Sequence, residues 1–198
     1  MLNLYKPGKL KERTEDELSA QAKGLGELCS VLEKNEITYF LSGGTLLGMI
    51  REGDFIKWDW DVEIAVMTEE IIPKRKQLLI QLEESGFQLH SKNYRASNFK
   101  LNLMKYDTRY EILGYVMKDG FRQRMRSKMP ARFFTKGCLK ELRGKAYQVL
   151  SPPEEYLEYN YGDWKTPVKS KDRSVYTTDK SRNRMTLKER IKNFFGLG

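Results

Sequence analysis

The segment LSGGTLLGMIREGDFIKWDWDVEIAV, residues 41–66, combines a glycine pair, a short apolar run and a tight cluster of acids. Asp59, Asp61 and Glu63 stand at alternate positions, directly before the apolar run 64–66. Carboxylates this close repel one another, and apolar neighbours make the loss of their hydration more costly. Because a bound cation would offset both costs, the pattern indicates a site for a positively charged partner.

Helices and strands alternate around this segment. Thr14 and Glu17 have the spacing of a capping box and open an amphipathic helix predicted over 14–34. Other patterns predict strands over 37–41, 62–67, 87–90, 98–105 and 109–117, and helices over 45–52, 69–86 and 152–162. This order predicts an α/β or α+β fold, with a mixed β-sheet flanked by helices.

The acids suit a divalent cation. Side chains alternate between the two faces of a strand, so Asp61 and Glu63 should project to the same side, joined by Asp59 if the strand starts early. With a third carboxylate from a neighbouring strand they would form an oxygen-rich cage for Mg²⁺. In proteins Mg²⁺ is held by one or two carboxylates together with substrate phosphates and water.

The glycine pair suits an anion. Gly43 and Gly44 precede a helix predicted to start at Thr45, and bare backbone N–H groups at a helix N-terminus favour phosphate. A phosphate cradle that faces a metal site is typical of phosphoryl or nucleotidyl transfer. Each pattern taken alone also occurs in acidic surface turns.

Two blocks of sequence resemble the LicD and fukutin family. GGTLLGMIREGDFIKWDWDVEI, residues 43–64, is similar to its GGTLLG and acid-cluster signature. LSPPEEYLEYNYGDWKTP, residues 150–167, is similar to a downstream element with proline, tyrosine and Tyr-Gly-x-Trp. The resemblance covers residues 14–168. It implies a nucleotidyltransferase-like fold and the transfer of a phospho-alcohol, such as phosphocholine or ribitol phosphate, from a CDP-activated donor to a glycan acceptor.

The resemblance also implies roles for single residues. The donor diphosphate would lie on Gly43, Gly44 and the helix from Thr45. Arg51 would clamp a phosphate or, alternatively, form a structural ion pair with one of the acids. Asp59 would steer or deprotonate the acceptor hydroxyl, or would serve as a further metal ligand.

Mg²⁺, or Mn²⁺ in its place, would be held by Asp61, Glu63 and a third carboxylate from a later strand. Glu111 is the preferred counterpart because apolar residues after it continue a strand, and Asp107, in what reads as a turn, is the competitor. Glu63 and Glu111 stand where the family has aspartates, and Lys57 replaces a proline. The two longer acids leave a pseudoenzyme open.

Composition makes several other classes of site and protein improbable. His90 is the only histidine, so a Ser-His-Asp triad or a Cys/His zinc site has little material. Cys29 and Cys138 form no C-x-x-C pair, and no signal peptide or run of eighteen apolar residues is visible. We therefore expect a cytoplasmic protein.

The net charge of +9 is concentrated in two places. Residues 164–198 hold ten Lys or Arg and three Asp or Glu, and a second basic cluster comprises Arg122, Arg124, Arg126, Lys128 and Arg132. Both read as anion-binding patches or as solvated surface. RNA binders interleave basic residues with aromatics on a sheet, so we do not expect a nucleic-acid partner, although nucleotidyl transfer to RNA or a small molecule and a non-catalytic basic module stay as alternatives.

We divide the chain into an extension (1–13), the nucleotidyltransferase-like domain (14–168) and a basic tail (169–198). In the tail, residues 180–195 predict a short amphipathic helix with an apolar edge formed by Leu187, Ile191, Phe194 and Phe195. This helix would hold the enzyme peripherally at an anionic membrane surface, or would pack back on the domain or on a second copy.

Overall fold

The computed structural model describes residues 11–169 and 177–178. Its helices are α1 (Glu15–Lys34), α2 (Gly43–Arg51), α3 (Thr68–Glu84) and α4 (Pro153–Tyr161). Its strands are β1 (Tyr39–Leu41), β2 (Asp61–Met67), β3 (Gln88–Asn93), β4 (Lys100–Lys105), β5 (Thr108–Lys118), β6 (Phe121–Arg124), β7 (Ser127–Pro130), β8 (Leu139–Leu142) and β9 (Lys145–Gln148). The alternation of helices and strands predicted from the sequence is confirmed.

Seven of these strands form one mixed sheet. Five lie in the order β1-β2-β5-β4-β3, and the hairpin β6–β7 continues the sheet from the far end of β5. β2 and β5 run parallel, whereas the other neighbours in this sheet are antiparallel. The hairpin β8–β9 forms a separate two-stranded sheet, tied to β1 by a bridge between Leu41 and Val149. The predicted mixed sheet with flanking helices is confirmed.

Helix α1 begins where the capping box predicted. The Thr14 side chain accepts the Glu17 N–H at 3.3 Å, and the Glu17 carboxylate accepts the Thr14 N–H at 2.7 Å. The helix then packs on β5, where the Tyr110 hydroxyl donates to the Gln21 carbonyl at 3.1 Å. A side chain at Gly24 would overlap that hydroxyl, so this glycine permits the close approach of helix and strand.

Apolar side chains of the sheet and helices form a single buried cluster. Its largest fully buried members are Tyr110, Tyr147, Phe40, Phe99 and Phe133, with leucines of α1 around them. Tyr110 faces α1, and side chains alternate along a strand. The odd-numbered positions of β5, Arg109 and Glu111 among them, therefore face away from α1.

Three local expectations differ from the structure. Helix α2 begins at Gly43 and not at Thr45, so both glycines belong to its first turn. β2 begins at Asp61, which places Asp59 in the preceding loop and not in line on the strand. The strands β6, β7, β8 and β9 were not predicted, because they are only four residues each and carry no strong alternation.

The predicted amphipathic helix over 180–195 lies outside the described residues. Where the structure does describe the chain, none of its helices combines the length and the hydropathy needed to cross a bilayer. Residues next to the described ends contact the loop before β2: Lys169 lies 4.3 Å over the ring of Trp58, and Lys11 lies 5.7 Å over that of Trp60.

Candidate active site

The parallel pairing of β2 with β5 brings the predicted acids together. In this register Glu63 is the direct neighbour of Glu111, and Asp61 is the direct neighbour of Arg109. Asp59 joins them from the loop before β2, where its carboxyl group is close enough to Asp61 and Glu63 for their charges to shift its pKa. We call Asp59, Asp61, Glu63 and Glu111 the acid cluster.

The glycine pair is shaped around this cluster. The Gly44 N–H donates to the Glu63 carboxylate at 2.8 Å. A side chain at Gly43 would overlap the carboxylate of Glu63, and one at Gly44 would overlap that of Asp59. Gly43 also has a φ of +55°, a conformation that L side chains rarely adopt. Only glycine therefore fits at both positions beside the acids.

The other predicted donor-binding residues are engaged within the protein. The Gly43 N–H donates to the Tyr156 hydroxyl at 3.1 Å. Thr45 is buried, and its hydroxyl accepts the Glu63 N–H at 2.9 Å, so it orients the acid. Arg51 pairs with Glu52 at 2.7 Å and donates to the Trp164 carbonyl at 3.3 Å, and its ion pair is therefore not with a member of the acid cluster.

Helix α4 supports the site from the second sequence block. Tyr156, in α4, holds the first glycine of the pair, and Trp164, beyond the end of α4 at Gly162, holds Arg51 of α2. Tyr156 is a residue that the sequence reasoning did not single out. Its position inside the Tyr-Leu part of the second block was the available signal.

The two candidates for the third carboxylate occupy different places. Glu111 is buried in β5 beside Glu63. Asp107 is exposed in the turn before β5, with a φ of +50°. The structure thus brings Glu111 into the acid cluster by direct pairing of neighbouring strands, as the strand pattern after it predicted.

Two basic side chains contact the acid cluster. Arg109 places its Nη2 2.5 Å from Asp61 Oδ2 and its Nε 3.2 Å from Glu111 Oε1. Lys100, in β4, places its Nζ 2.8 Å from Glu111 Oε2. The sequence reasoning missed Arg109, although its position two residues before Glu111 places both on one face of β5.

Charge and burial shift the ionisation of the site. Burial raises the pKa of Asp59 well above its usual range, and the nearby charges of Asp61 and Glu63 raise it further. For Arg109, burial alone would lower the pKa, but the charges of Asp61 and Glu111 outweigh it and the pKa is raised. The acid cluster therefore holds more negative charge than Arg109 and Lys100 balance.

Arg13 adds a buried cation next to the loop of Asp59. Its guanidinium stacks 4.2 Å from the centre of the Trp60 ring and donates to the Trp60 carbonyl at 3.4 Å. Burial lowers its pKa, and the charges of Glu17 and Asp59 are among those that counteract this shift. Arg13 thus anchors the loop that carries Asp59.

The donor set fits a hard divalent cation. Carboxylate oxygens are the protein ligands that Mg²⁺ and Mn²⁺ prefer, and Asp61, Glu63 and Glu111 would supply them from two adjacent strands. Within residues 11–169 and 177–178, no three acidic, histidine or cysteine side chains already form a ligand group around one point. Asp61 and Glu111 instead enclose the Arg109 guanidinium.

The fold is that of a nucleotidyltransferase-like protein. Across 91% of this chain and 86% of the other, the fold is similar to that of the antibiotic-resistance factor ANT(2'')-Ia, with a TM-score of 0.50. The sequence identity is 12%, so this likeness shows the fold alone.

The sequence then places the chain in a family. The family model described as LicD/FKTN/FKRP, nucleotidyltransferase domain, matches residues 36–144, which is more than half of the chain. The chain belongs to this family, as the resemblance predicted, and the first of the two sequence blocks lies in the matched region. The matched region contains the glycine pair and the whole acid cluster and ends before α4.

Individual relatives match stretches of different length, and two of them extend beyond this region. The mouse protein named ribitol 5-phosphate transferase FKRP is 46% identical over 41 residues, 21% of this chain and 8% of that protein. Mouse ribitol-5-phosphate transferase FKTN is 26% identical over 176 residues, 82% of this chain and 35% of that protein. The uncharacterized protein T07A5.1 of Caenorhabditis elegans is 26% identical over 157 residues, 72% of this chain and 41% of that protein. The chain spans less than half the length of each.

Proposed function

We propose that the protein is a divalent-cation-dependent phosphotransferase that moves a phospho-alcohol from a CDP-activated donor to a glycan hydroxyl. The observation that carries the proposal is the pairing of Glu63 with Glu111 on adjacent parallel strands, beside two glycines whose lack of a side chain makes room for the carboxylates of Glu63 and Asp59. Family membership supports it, because the FKRP and FKTN relatives are named ribitol 5-phosphate transferases.

Asp61, Glu63 and Glu111 would hold Mg²⁺ or Mn²⁺. Such an ion supplies charge neutralisation for the phosphates of the donor. The donor diphosphate would lie at the N-terminus of α2, where the helix dipole favours anions. Since the N–H groups of Gly43 and Gly44 are bonded to Tyr156 and Glu63, a donor at this place would have to replace one of those bonds or approach beside them.

Asp59 is suited to the proton transfer. A carboxylate with a raised pKa is a better proton acceptor near neutral pH than an ordinary aspartate. In the transfer, the acceptor oxygen forms a bond to the distal phosphorus and the bond between that phosphorus and the bridging oxygen breaks. The hydroxyl proton passes to Asp59, and CMP leaves with the bonding electrons.

One observation favours a second candidate, a non-catalytic member of the family. Asp61 and Glu111 are paired with Arg109 and Lys100, which is also how a purely structural ion network is built. The glutamates at 63 and 111, in place of the family's aspartates, agree with this candidate. Under it, the protein binds a ligand on the same fold and transfers nothing.

CMP release separates the two candidates. The full chain would be incubated with CDP-choline, CDP-ribitol and matched UDP conjugates, with Mg²⁺ or EDTA and a glycan acceptor. We expect Mg²⁺-dependent CMP release from a CDP donor alone. Glu111→Gln should remove it and Asp107→Asn, as matched control, should retain it. Binding of a nucleotide without release from any donor would favour the non-catalytic candidate, and loss in Asp107→Asn alone would transfer the ligand role to Asp107.

A further inference from the structure

Arg109 is a charged residue of the site that no motif explains. Its guanidinium contacts Asp61 on β2 and Glu111 on its own strand, at 2.5 Å and 3.2 Å. The strand register places Arg109 directly beside Asp61, so the contact with Asp61 follows from the pairing of the main chains and not from a chance rotamer.

The place of Arg109 conflicts with a bound divalent ion. Mg²⁺ binds carboxylate oxygens at about 2.0–2.1 Å and leaves little freedom in its geometry. Asp61 Oδ2 and Glu111 Oε1 are the oxygens that now accept from the guanidinium. A divalent ion on the same two oxygens would lie beside the guanidinium, and the repulsion between the two cations favours a movement of Arg109.

Arg109 has room to move. Its side chain is 44% exposed, whereas that of Glu111 is 10% exposed. An ion pair with one exposed partner is weakly held, because water and salt screen it. Lys100 differs in this respect: it contacts Glu111 through the other oxygen, Oε2, at 2.8 Å and does not touch Asp61.

We propose that Arg109 is an internal counter-cation that exchanges partners, binding Asp61 and Glu111 until a divalent ion displaces it and then pairing with the diphosphate of the bound nucleotide. This rests on the proposed function, since it takes the acid cluster as the cation site. The guanidinium is suited to the second partner, because its planar donors match phosphate oxygens in pairs. Released beside the ion, it would lie at the edge where a diphosphate held by that ion must approach.

The proposed exchange of partners predicts that one substitution changes the affinities for Mn²⁺ and for CDP in opposite directions. Arg109→Gln removes the competitor, so Mn²⁺ alone should bind about tenfold more tightly than in the unmodified protein. The same variant lacks the phosphate partner, so CDP in the presence of saturating Mn²⁺ should bind about tenfold more weakly. A merely structural Arg109 would lower both affinities together or leave both unchanged.

The experiment titrates the full chain with MnCl₂ by electron paramagnetic resonance and with CDP by calorimetry. Arg109→Lys keeps the charge but cannot bridge both carboxylates, so its Mn²⁺ affinity should lie between those of the unmodified protein and Arg109→Gln. Arg132→Gln removes an exposed arginine paired with Glu155 at 2.6 Å and serves as the matched control with unchanged affinities.

The changes in Mn²⁺ and CDP affinity are measured without any transfer reaction. They therefore test the exchange of partners separately from the proposed function. If no donor releases CMP but Arg109→Gln binds Mn²⁺ more tightly and CDP more weakly, the partner exchange is supported and the proposed transfer reaction is wrong. If CMP is released but Arg109→Gln binds Mn²⁺ no more tightly, or CDP no more weakly, the exchange is wrong by itself. Failure of both proteins to bind Mn²⁺ also overturns it.

Discussion

Asp54 and Asp59 lie in the same loop, and their pKa values are shifted in opposite directions. Asp54 accepts two hydrogen bonds from Arg143, each at 2.6 Å, and these contacts lower its pKa. Burial raises the pKa of Asp59, and the charges of Asp61 and Glu63 raise it further. The same residue type, five positions apart, is stabilised as a charge in one place and destabilised in the other.

The opposite pKa shifts distinguish a structural ion-pair junction around Asp54 from the candidate active site around Asp59. Arg143 also binds Glu15 at 2.6 Å and so ties α1, the loop before β2 and the β8–β9 turn together. We call this set the Arg143 junction. Its carboxylates have their partner inside the protein, whereas the acid cluster keeps an excess of negative charge. Shifted ionisation of the second kind is typical of positions that act on a ligand.

The largest effect should come from the acid cluster itself. Asp61→Asn and Glu63→Gln should each lower transfer by about 10²–10³-fold, because each removes a charge that the phosphate chemistry needs. The melting temperature without added cation should stay the same or rise, since one of several repelling charges is gone. Activity assays beside thermal unfolding test this, and a variant that loses activity by unfolding would contradict the assignment.

The glycine pair should tolerate no side chain. Gly44→Ala puts a methyl group where the Asp59 carboxylate lies, and a misplaced catalytic group costs up to about 10²-fold in rate. We expect a loss of about 10–100-fold in CMP release with the fold retained. Gly26→Ala in α1 is the matched control, because its Cβ would meet only ordinary contacts, at 3.6 Å or more. Equal activity of both variants would show that Asp59 is not held at Gly44.

The Arg143 junction should affect stability and not activity. Arg143→Gln should lower the free energy of unfolding by about 2 kcal/mol at pH 7, the usual range for hydrogen bonds to charged groups. The folded-state pKa values of Asp54 and Glu15 are lowered. Their contribution is therefore present above the unfolded pKa of about 4 and is lost as pH falls through the folded values. Denaturation at pH 7 and pH 3 should show the difference shrinking, and a pH-independent difference would refute the charge-based account.

The smallest effect, on stability alone, should come from exchanging Asp54 or Asp59 for asparagine. Asp54→Asn should destabilise by about 1 kcal/mol because charged hydrogen bonds become neutral ones. Asp59→Asn should stabilise the protein without added cation, because burial and the charges of Asp61 and Glu63 raise the pKa of the carboxyl group that it replaces. Chemical denaturation of the two variants under the same conditions would measure the two changes in the free energy of unfolding, which we expect to have opposite signs. Shifts of the same sign would remove the distinction between junction and site.

Local patterns carried the fold prediction a long way. The capping box at Thr14 predicted the start of α1, and alternation and composition predicted β2, β4 and β5. The start of α2 was misplaced by two residues because a glycine pair reads as a break, whereas here Ser42 is the N-cap and both glycines are helical. The alternate spacing of the acids singled out Asp59, Asp61 and Glu63, and the resemblance added Glu111, which periodicity alone leaves ambiguous.

Pairings across the fold were beyond local patterns. Arg143 meets Asp54 and Glu15 across 89 and 128 residues of sequence, and nothing in its own neighbourhood signals either partner. The basic hairpin shows the same limit. Arg122 was counted in a charged patch, but it is buried, pairs with Glu69 at 2.5 Å and lies 5.8 Å from the Phe134 ring. A run of basic residues in sequence therefore overstates the charge that reaches the surface.

The parallel pairing of β2 with β5 also bears on how the protein reaches its native state. Strands that pair in parallel need a long crossover, and Asp61 and Arg109 meet across 48 residues that include α3 and two further strands. For contacts of this kind, the entropy of loop closure is lost before the contact stabilises the fold, so such contacts slow folding and form late. The repulsion among the acids would then be absent from the folding nucleus. Its relief by a bound cation would slow unfolding and leave the refolding rate nearly unchanged.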